Sequence, residues 1–207
     1  MDFLNAIILI SNFVIVPSIT YGSQLALGAI GVTLIYGVLR FANFAYGDLM
    51  AFGTMCVILF TWLFQSWGIY FGILPTALLA LPFGIILTIC VSLFFDKTVF
   101  EYYRNKKSSP VTFIVVSLGI MFVLNAIVRI IIGPNDIFFM DGSRFLISAV
   151  DFKESTGLSE GLTIKSTQII TIITTSITCV ILFNFLKKTK TGKSMRAYSN
   201  NEDLALL

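Results

Sequence analysis

The chain has 207 residues, of which 57% are hydrophobic and only 12% charged, with a net charge of +3 and no histidine. Soluble domains carry about twice that share of charge, so a water-soluble globule is excluded, and a positive balance this small and scattered argues against a nucleic-acid surface. Without histidine, and with Cys56, Cys90 and Cys179 far apart inside apolar blocks, no metal centre, disulfide framework or cofactor of the chain's own is expected.

Apolar blocks run over 3–19, 22–39, 49–65, 71–95, 111–132 and 167–186. A helix needs about 20 mostly apolar residues to span a bilayer, so the expected fold is an all-α polytopic bundle in membrane lipid, a single transmembrane domain over 1–207. The first block is short and interrupted by Asn5, Asn12 and Pro17. Its polar residues do not gather on one charged face, as an interfacial helix requires. It also lacks a basic n-region and a small-residue cleavage site, so it is no removable signal; a span is the preferred reading and a helix lying in the interface the alternative. Pro82 is expected to kink the third secure span.

Lysine and arginine in short loops set the orientation. The 96–109 loop carries Lys97, Arg104, Lys106 and Lys107, and the segment after the last span carries Lys187, Lys188, Lys190, Lys193 and Arg196. Both are expected in the cytoplasm. The 133–165 segment, with Asp136, Asp141, Asp151, Glu154 and Glu160 against Arg144, Lys153 and Lys165, is then an outer loop, and six spans put the N-terminus in the cytoplasm.

Between the second and third blocks, the stretch Arg40–Phe41–Ala42–Asn43–Phe44–Ala45–Tyr46–Gly47–Asp48 has little water-loving character. Amide or charged side chains at membrane depth tend to face a cavity or a partner, which makes Asn43, Tyr46, Gly47 and Asp48 candidates to line a path. The plainer reading is a tight inner turn, with Arg40 snorkelling and Asp48 capping the next helix; the two are compatible. Gly22 with Ala26, Gly47 with Ala51, and Gly28, Gly31 and Gly37 have the spacing of close helix packing. Arg129, near the outer end of its span, is expected to snorkel.

The tail holds Gly192–Lys193–Ser194, which imitates the end of a phosphate-binding loop. The pattern's first glycine is replaced by Lys187 and no strand precedes it, so nucleotide binding is rejected. Ser199 and Glu202 have the spacing of a capping box opening a short helix, suited to docking in a groove of another protein.

Gly28–Ala29–Ile30–Gly31–Val32–Thr33–Leu34–Ile35–Tyr36–Gly37 followed by Asn43–Phe44–Ala45–Tyr46–Gly47–Asp48, together with Thr191–Gly192–Lys193–Ser194–Met195–Arg196–Ala197, Asn201, Asp203, Ala205 and Leu207, resembles the branched-chain amino acid permease family. These are the membrane subunits of ATP-binding cassette (ABC) importers in the bacterial inner membrane. The resemblance covers nearly the whole chain. It implies ATP-binding subunits, a second permease subunit and a periplasmic substrate-binding protein as partners, with ATP hydrolysed by the partners and no catalysis in this chain. It further implies a path near Asn43, Tyr46, Gly47 and Asp48, and an ATPase-coupling segment using Gly192, Arg196, Ala197, Asn201 and Asp203. Tyr46 stands where the family usually has histidine. Members continue beyond the point matching Leu207, so a C-terminally truncated member is expected.

Urea, short amides or other amino acids are alternative substrates within the same family. A channel would need no coupling segment. An intramembrane enzyme would need a second acid or a histidine near Asp48, and the sequence provides neither there.

Overall fold

The computed structural model describes residues 2–70, 72, 74–135, 137 and 144–200. Five helices are long and apolar enough to cross a membrane: α1 Phe3–Leu39, α2 Ala45–Ser66, α3 Ala77–Asn105, α4 Pro110–Ile132 and α6 Ser166–Lys188. Between α4 and α6 lie β1 Phe145–Ile147, the short helix α5 Ala149–Thr156 and β2 Ile164–Lys165; α7 Lys190–Asn200 follows α6. In the most apolar window of each long helix, between 6% and 28% of residues are buried. Phe3, Phe13, Phe122 and Ile130 are each more than two-thirds exposed. Surfaces that apolar need lipid or further protein around them, as the composition requires.

The chain divides into two compact units, one of residues 1–38 and 143–207, the other of residues 39–142. In the first unit, α1 is one helix where two spans were expected. Pro17 is the second residue after a π-helical stretch, Ser11–Ile15. There the widened ladder absorbs the proline's missing N–H without ending the helix. Asn5 and Asn12, read as interruptions, face polar backbone. Asn12 Nδ2 donates to the Gly161 carbonyl at 2.8 Å and its Oδ1 accepts from Thr163 N–H at 2.9 Å, while Asn5 Oδ1 accepts from Glu160 N–H at 3.4 Å.

The N-terminal part of α1 therefore lies on the side of the 144–165 segment, and its other end, at Gly37, meets Ser199 of α7. From Asn12 to Gly37 the helix rises about 37 Å, one bilayer crossing with interfacial margin. One crossing in place of two reverses the parity. By the positive-inside rule a cytoplasmic basic tail then predicts an outer start of the chain, in place of the cytoplasmic N-terminus expected above.

Of the segment expected as an outer loop, residues 144–165 carry secondary structure. β1 and β2 pair antiparallel, Phe145 opposite Lys165 and Ile147 opposite Ile164. α5 is capped by Ser148 Oγ, which accepts from Val150 N–H, and stops at Gly157 in the left-handed region. A side chain at Gly161 would collide with the Ala149 carbonyl, so only glycine lets this strap pass the N-terminus of α5. α6 is rich in hydroxyls, yet Thr171, Thr174, Ser176 and Thr178 each donate to a carbonyl one turn back in their own helix. That removes the polar cost of facing lipid.

In the second unit α2, α3 and α4 pack around Ala45, Phe52, Met55, Cys56, Ile120 and Leu124. The closest approach is α2 against α3. A Cβ at Gly84 would run into the Val57 side chain and stand 3.2 Å from its backbone nitrogen, and one at Gly53 would stand 2.9 Å from Thr88 Oγ1. The small residues singled out by spacing behave differently, since Gly22, Gly28 and Gly47 have nothing within 4 Å among the described residues. α3 runs on through Pro82, whose ring leaves the Leu78 carbonyl without its helical partner. It begins later than the expected span, at Ala77, and ends later, continuing as far as Asn105. Its charged end carries an Arg104–Asp96 pair at 3.1 Å with both side chains half exposed, worth little in water.

Gly84→Val should weaken this unit by about 1–3 kcal/mol, read as a lower melting temperature of the purified protein in detergent. In a cysteine-free background, Phe3→Cys should react with an impermeant maleimide on intact cells, and Lys193→Cys only after permeabilisation.

Candidate functional site

The residues expected along a path lie at the start of α2, alongside α4 in the second unit. After α1, Arg40 adopts a left-handed backbone (φ 59°) that turns the chain. Phe41 is buried, its ring 5.1 Å from that of Phe113 and 5.9 Å from that of Phe100. Phe44 N–H donates to Ser117 Oγ at 3.1 Å, and Ser117 in turn donates to the Ile114 carbonyl. Ser117 is seven residues into α4, so α2 starts about 10 Å along that helix. Non-helical backbone at such depth survives only when buried and hydrogen-bonded, which Phe41 and Ser117 provide.

Asn43, one residue before the Phe44 N-cap, accepts at Oδ1 from Ala45 N–H at 3.1 Å, and the N-cap itself has no side-chain bond. The cap expected of Asp48 is not made, because the helix begins at Ala45 and leaves Asp48 inside its first turn. Tyr46 is half-buried, and Gly47 is exposed. Asp48 is half-buried and bonded across the helix pair: Asn125 Nδ2 of α4 donates to Asp48 Oδ1 at 2.9 Å. Asn125 Oδ1 accepts from Arg129 Nε at 2.8 Å. Asn125 stands fifteen residues from the start of α4 and seven from its end, about 22 and 10 Å, so the carboxylate sits well inside the apolar layer. A carboxylate at the helix centre costs roughly 2.5–3.5 kcal/mol to insert. The amide and the guanidinium beyond it are its compensation.

Sequence reasoning passed over Asn125 and Ser117. The available signal was a single amide in an otherwise apolar stretch, one turn before an arginine. Arg129 is exposed, as a snorkelling residue would be, but it is tied back to Asn125.

The second group of candidates lies on α7 in the other unit. α7 opens at Lys190, and its cap is Thr189, whose Oγ1 accepts from Gly192 N–H at 3.0 Å. Ser199, where a capping box was expected, lies inside α7 near its end; Glu202 and the helix expected beyond it fall outside the described residues. Gly192 is buried, and a Cβ there would collide with the Phe185 carbonyl. It makes the close turn from α6 to α7 possible and is no exposed contact. Arg196 and Ala197 are exposed. Asn201 and Asp203 lie outside the described residues. The Gly192–Lys193–Ser194 triplet lies near the start of α7.

Among the described residues no group of three or more His, Cys, Asp or Glu could hold a metal ion. The family model for the permease component of branched-chain amino acid transport systems matches residues 14–207. No curated protein and no solved structure matches the chain. The chain therefore belongs to the branched-chain amino acid transport permease family, and it is a multi-pass membrane protein.

Gly192→Val should open the α6–α7 turn. Limited proteolysis should cut near residue 190 several-fold faster than in the unaltered protein, whereas Gly47→Val, at a site with nothing within 4 Å, should leave the pattern unchanged.

Proposed function

We propose that this chain is the membrane-spanning permease subunit of an ABC importer for branched-chain amino acids, coupled through α7 to ATP-binding subunits. The observation that carries the reading is α7 itself. It is a separate, capped, basic helix turned off the end of the last span, with Lys193, Arg196 and Ala197 exposed. It lies at the end of its unit away from the 144–165 segment, as Gly37 against Ser199 and Asn12 against Gly161 and Thr163 require. A short exposed helix in that position suits docking in a groove on a soluble partner.

In this reading the membrane is the bacterial inner membrane, a periplasmic protein delivers substrate to the 144–165 side, and a second permease subunit completes the path. ATP is hydrolysed by the partner subunits; this chain performs no chemistry and needs no cofactor. Closure of the ATPases moves α7, and through the tight Gly192 turn α7 moves α6 as a lever. Asn43, Tyr46, Gly47 and Asp48 line the path, entered where α2 begins within the bilayer. Urea and short amides are the competing substrates.

Cells lacking the intact gene should lose uptake of labelled leucine that isoleucine, but not glutamate or urea, competes in the parent strain. Unchanged leucine uptake with a urea defect would move the substrate to urea and leave the permease reading standing. Arg196→Glu should cut co-purification of the ATP-binding subunits several-fold while the permease still reaches the membrane. Undiminished co-purification would place the coupling surface elsewhere.

A further inference from the structure

The Asp48–Asn125–Arg129 chain has more hydrogen-bonding capacity than its internal bonds use. Asn125 is a two-sided bridge, its amide nitrogen held by Asp48 Oδ1 at 2.9 Å and its oxygen by Arg129 Nε at 2.8 Å. Among the described residues, Asp48 Oδ2 and the two Nη atoms of Arg129 make no further protein bond. A carboxylate only accepts and a guanidinium only donates, so the ladder presents one acceptor and one forked donor, fixed apart by a single amide.

A purely structural pair at bilayer depth would gain most by closing directly, because attraction grows as separation falls. Here the amide holds the charges apart. It fixes their spacing while leaving each with a face for a third group. Arg129 is exposed and Asp48 only half-buried, so neither is packed away.

We propose that Asp48 and Arg129, spaced by Asn125, form a binding station for the zwitterionic head of an α-amino acid. The ligand's ammonium donates to Asp48 Oδ2 and its carboxylate accepts from the Arg129 Nη donors, both charge-assisted. Asn125 is a positioning residue, holding each side chain without meeting the ligand. The proposal rests on the amino-acid reading above and deepens it: the membrane path itself, and not only a soluble delivery protein, selects for the two opposite charges. A neutral amide can hydrogen-bond to the same atoms but leaves both charges uncompensated at depth.

The test is saturation-transfer NMR on the assembled permease–ATPase complex in nanodiscs, without binding protein. Leucine is compared with leucinamide, which lacks the carboxylate, and 2-hydroxy-4-methylpentanoate, which lacks the ammonium. The unaltered complex should favour leucine about tenfold over both analogues. Arg129→Gln should bring leucine down to the level of leucinamide, and Arg129→Lys should restore part of the preference. Asp48→Asn, which keeps an oxygen for Asn125, should bring leucine down to the level of the hydroxy acid. Preferences unchanged in both variants, or a uniform loss for all three ligands, would overturn the proposal. A complex that imports leucine with its binding protein but shows no leucine preference alone would overturn it too, and leave the importer reading intact. A complex that imports no amino acid would overturn both.

Discussion

A carboxylate inside a bilayer must be partnered, and the Asp48–Asn125 hydrogen bond is where this chain meets that requirement. The bond joins α2 to α4 at a depth where hydration cannot stand in for it. It also fixes how far α2 must descend. For Asp48 to reach Asn125, the helix has to start alongside Ser117, and the connection from α1 has to enter the apolar layer. Phe41 against Phe100 and Phe113, Ser117 on Phe44 N–H and Asn43 on Ala45 N–H then follow as the means of burying that descending backbone. The close contact at Gly84 completes the unit by bringing α3 against α2.

The first unit solves the same problem with backbone in place of charge. Its strap at 160–163 would expose unpaired peptide groups beside an apolar helix, and Asn5 and Asn12 supply the missing partners. Asn5 and Asn12, seven residues apart, fall on one face of α1 by ordinary helical spacing. At the opposite end, Gly192 and Thr189 produce a tight, capped change of direction, so a displacement of α7 has little slack to dissipate before it reaches α6.

Much of this was legible in the sequence, because span length, charge asymmetry and the 40–48 stretch each have a direct physical meaning. What sequence could not supply was partner identity across elements. Nothing local to Asp48 indicates Asn125, seventy-seven residues away, and nothing local to Asn12 indicates Gly161. For the same reason Asn5, Asn12 and Pro17 looked like breaks, and one helix was divided into two spans. Small-residue spacing misled in a similar way. It marked Gly37, which does meet Ser199, but also Gly22, Gly28 and Gly47, where an added Cβ would meet nothing among the described residues, and it missed Gly53 and Gly84, whose use depends on the side chains opposite them. The sequence placed a tail helix after Ser199, over residues outside the described ones, and passed over α7, whose start is marked locally only by Thr189.

The dependence of the second unit on one buried bond is measured most directly by a double-mutant cycle. Unfolding free energies would be compared for the unaltered protein, Asp48→Ala, Asn125→Ala and the double variant in the same detergent. The expected result is a coupling of about 0.6–2 kcal/mol, with the second substitution costing less once the first is present. Strictly additive losses would contradict it, and would mean that α2 is held on α4 by apolar packing alone.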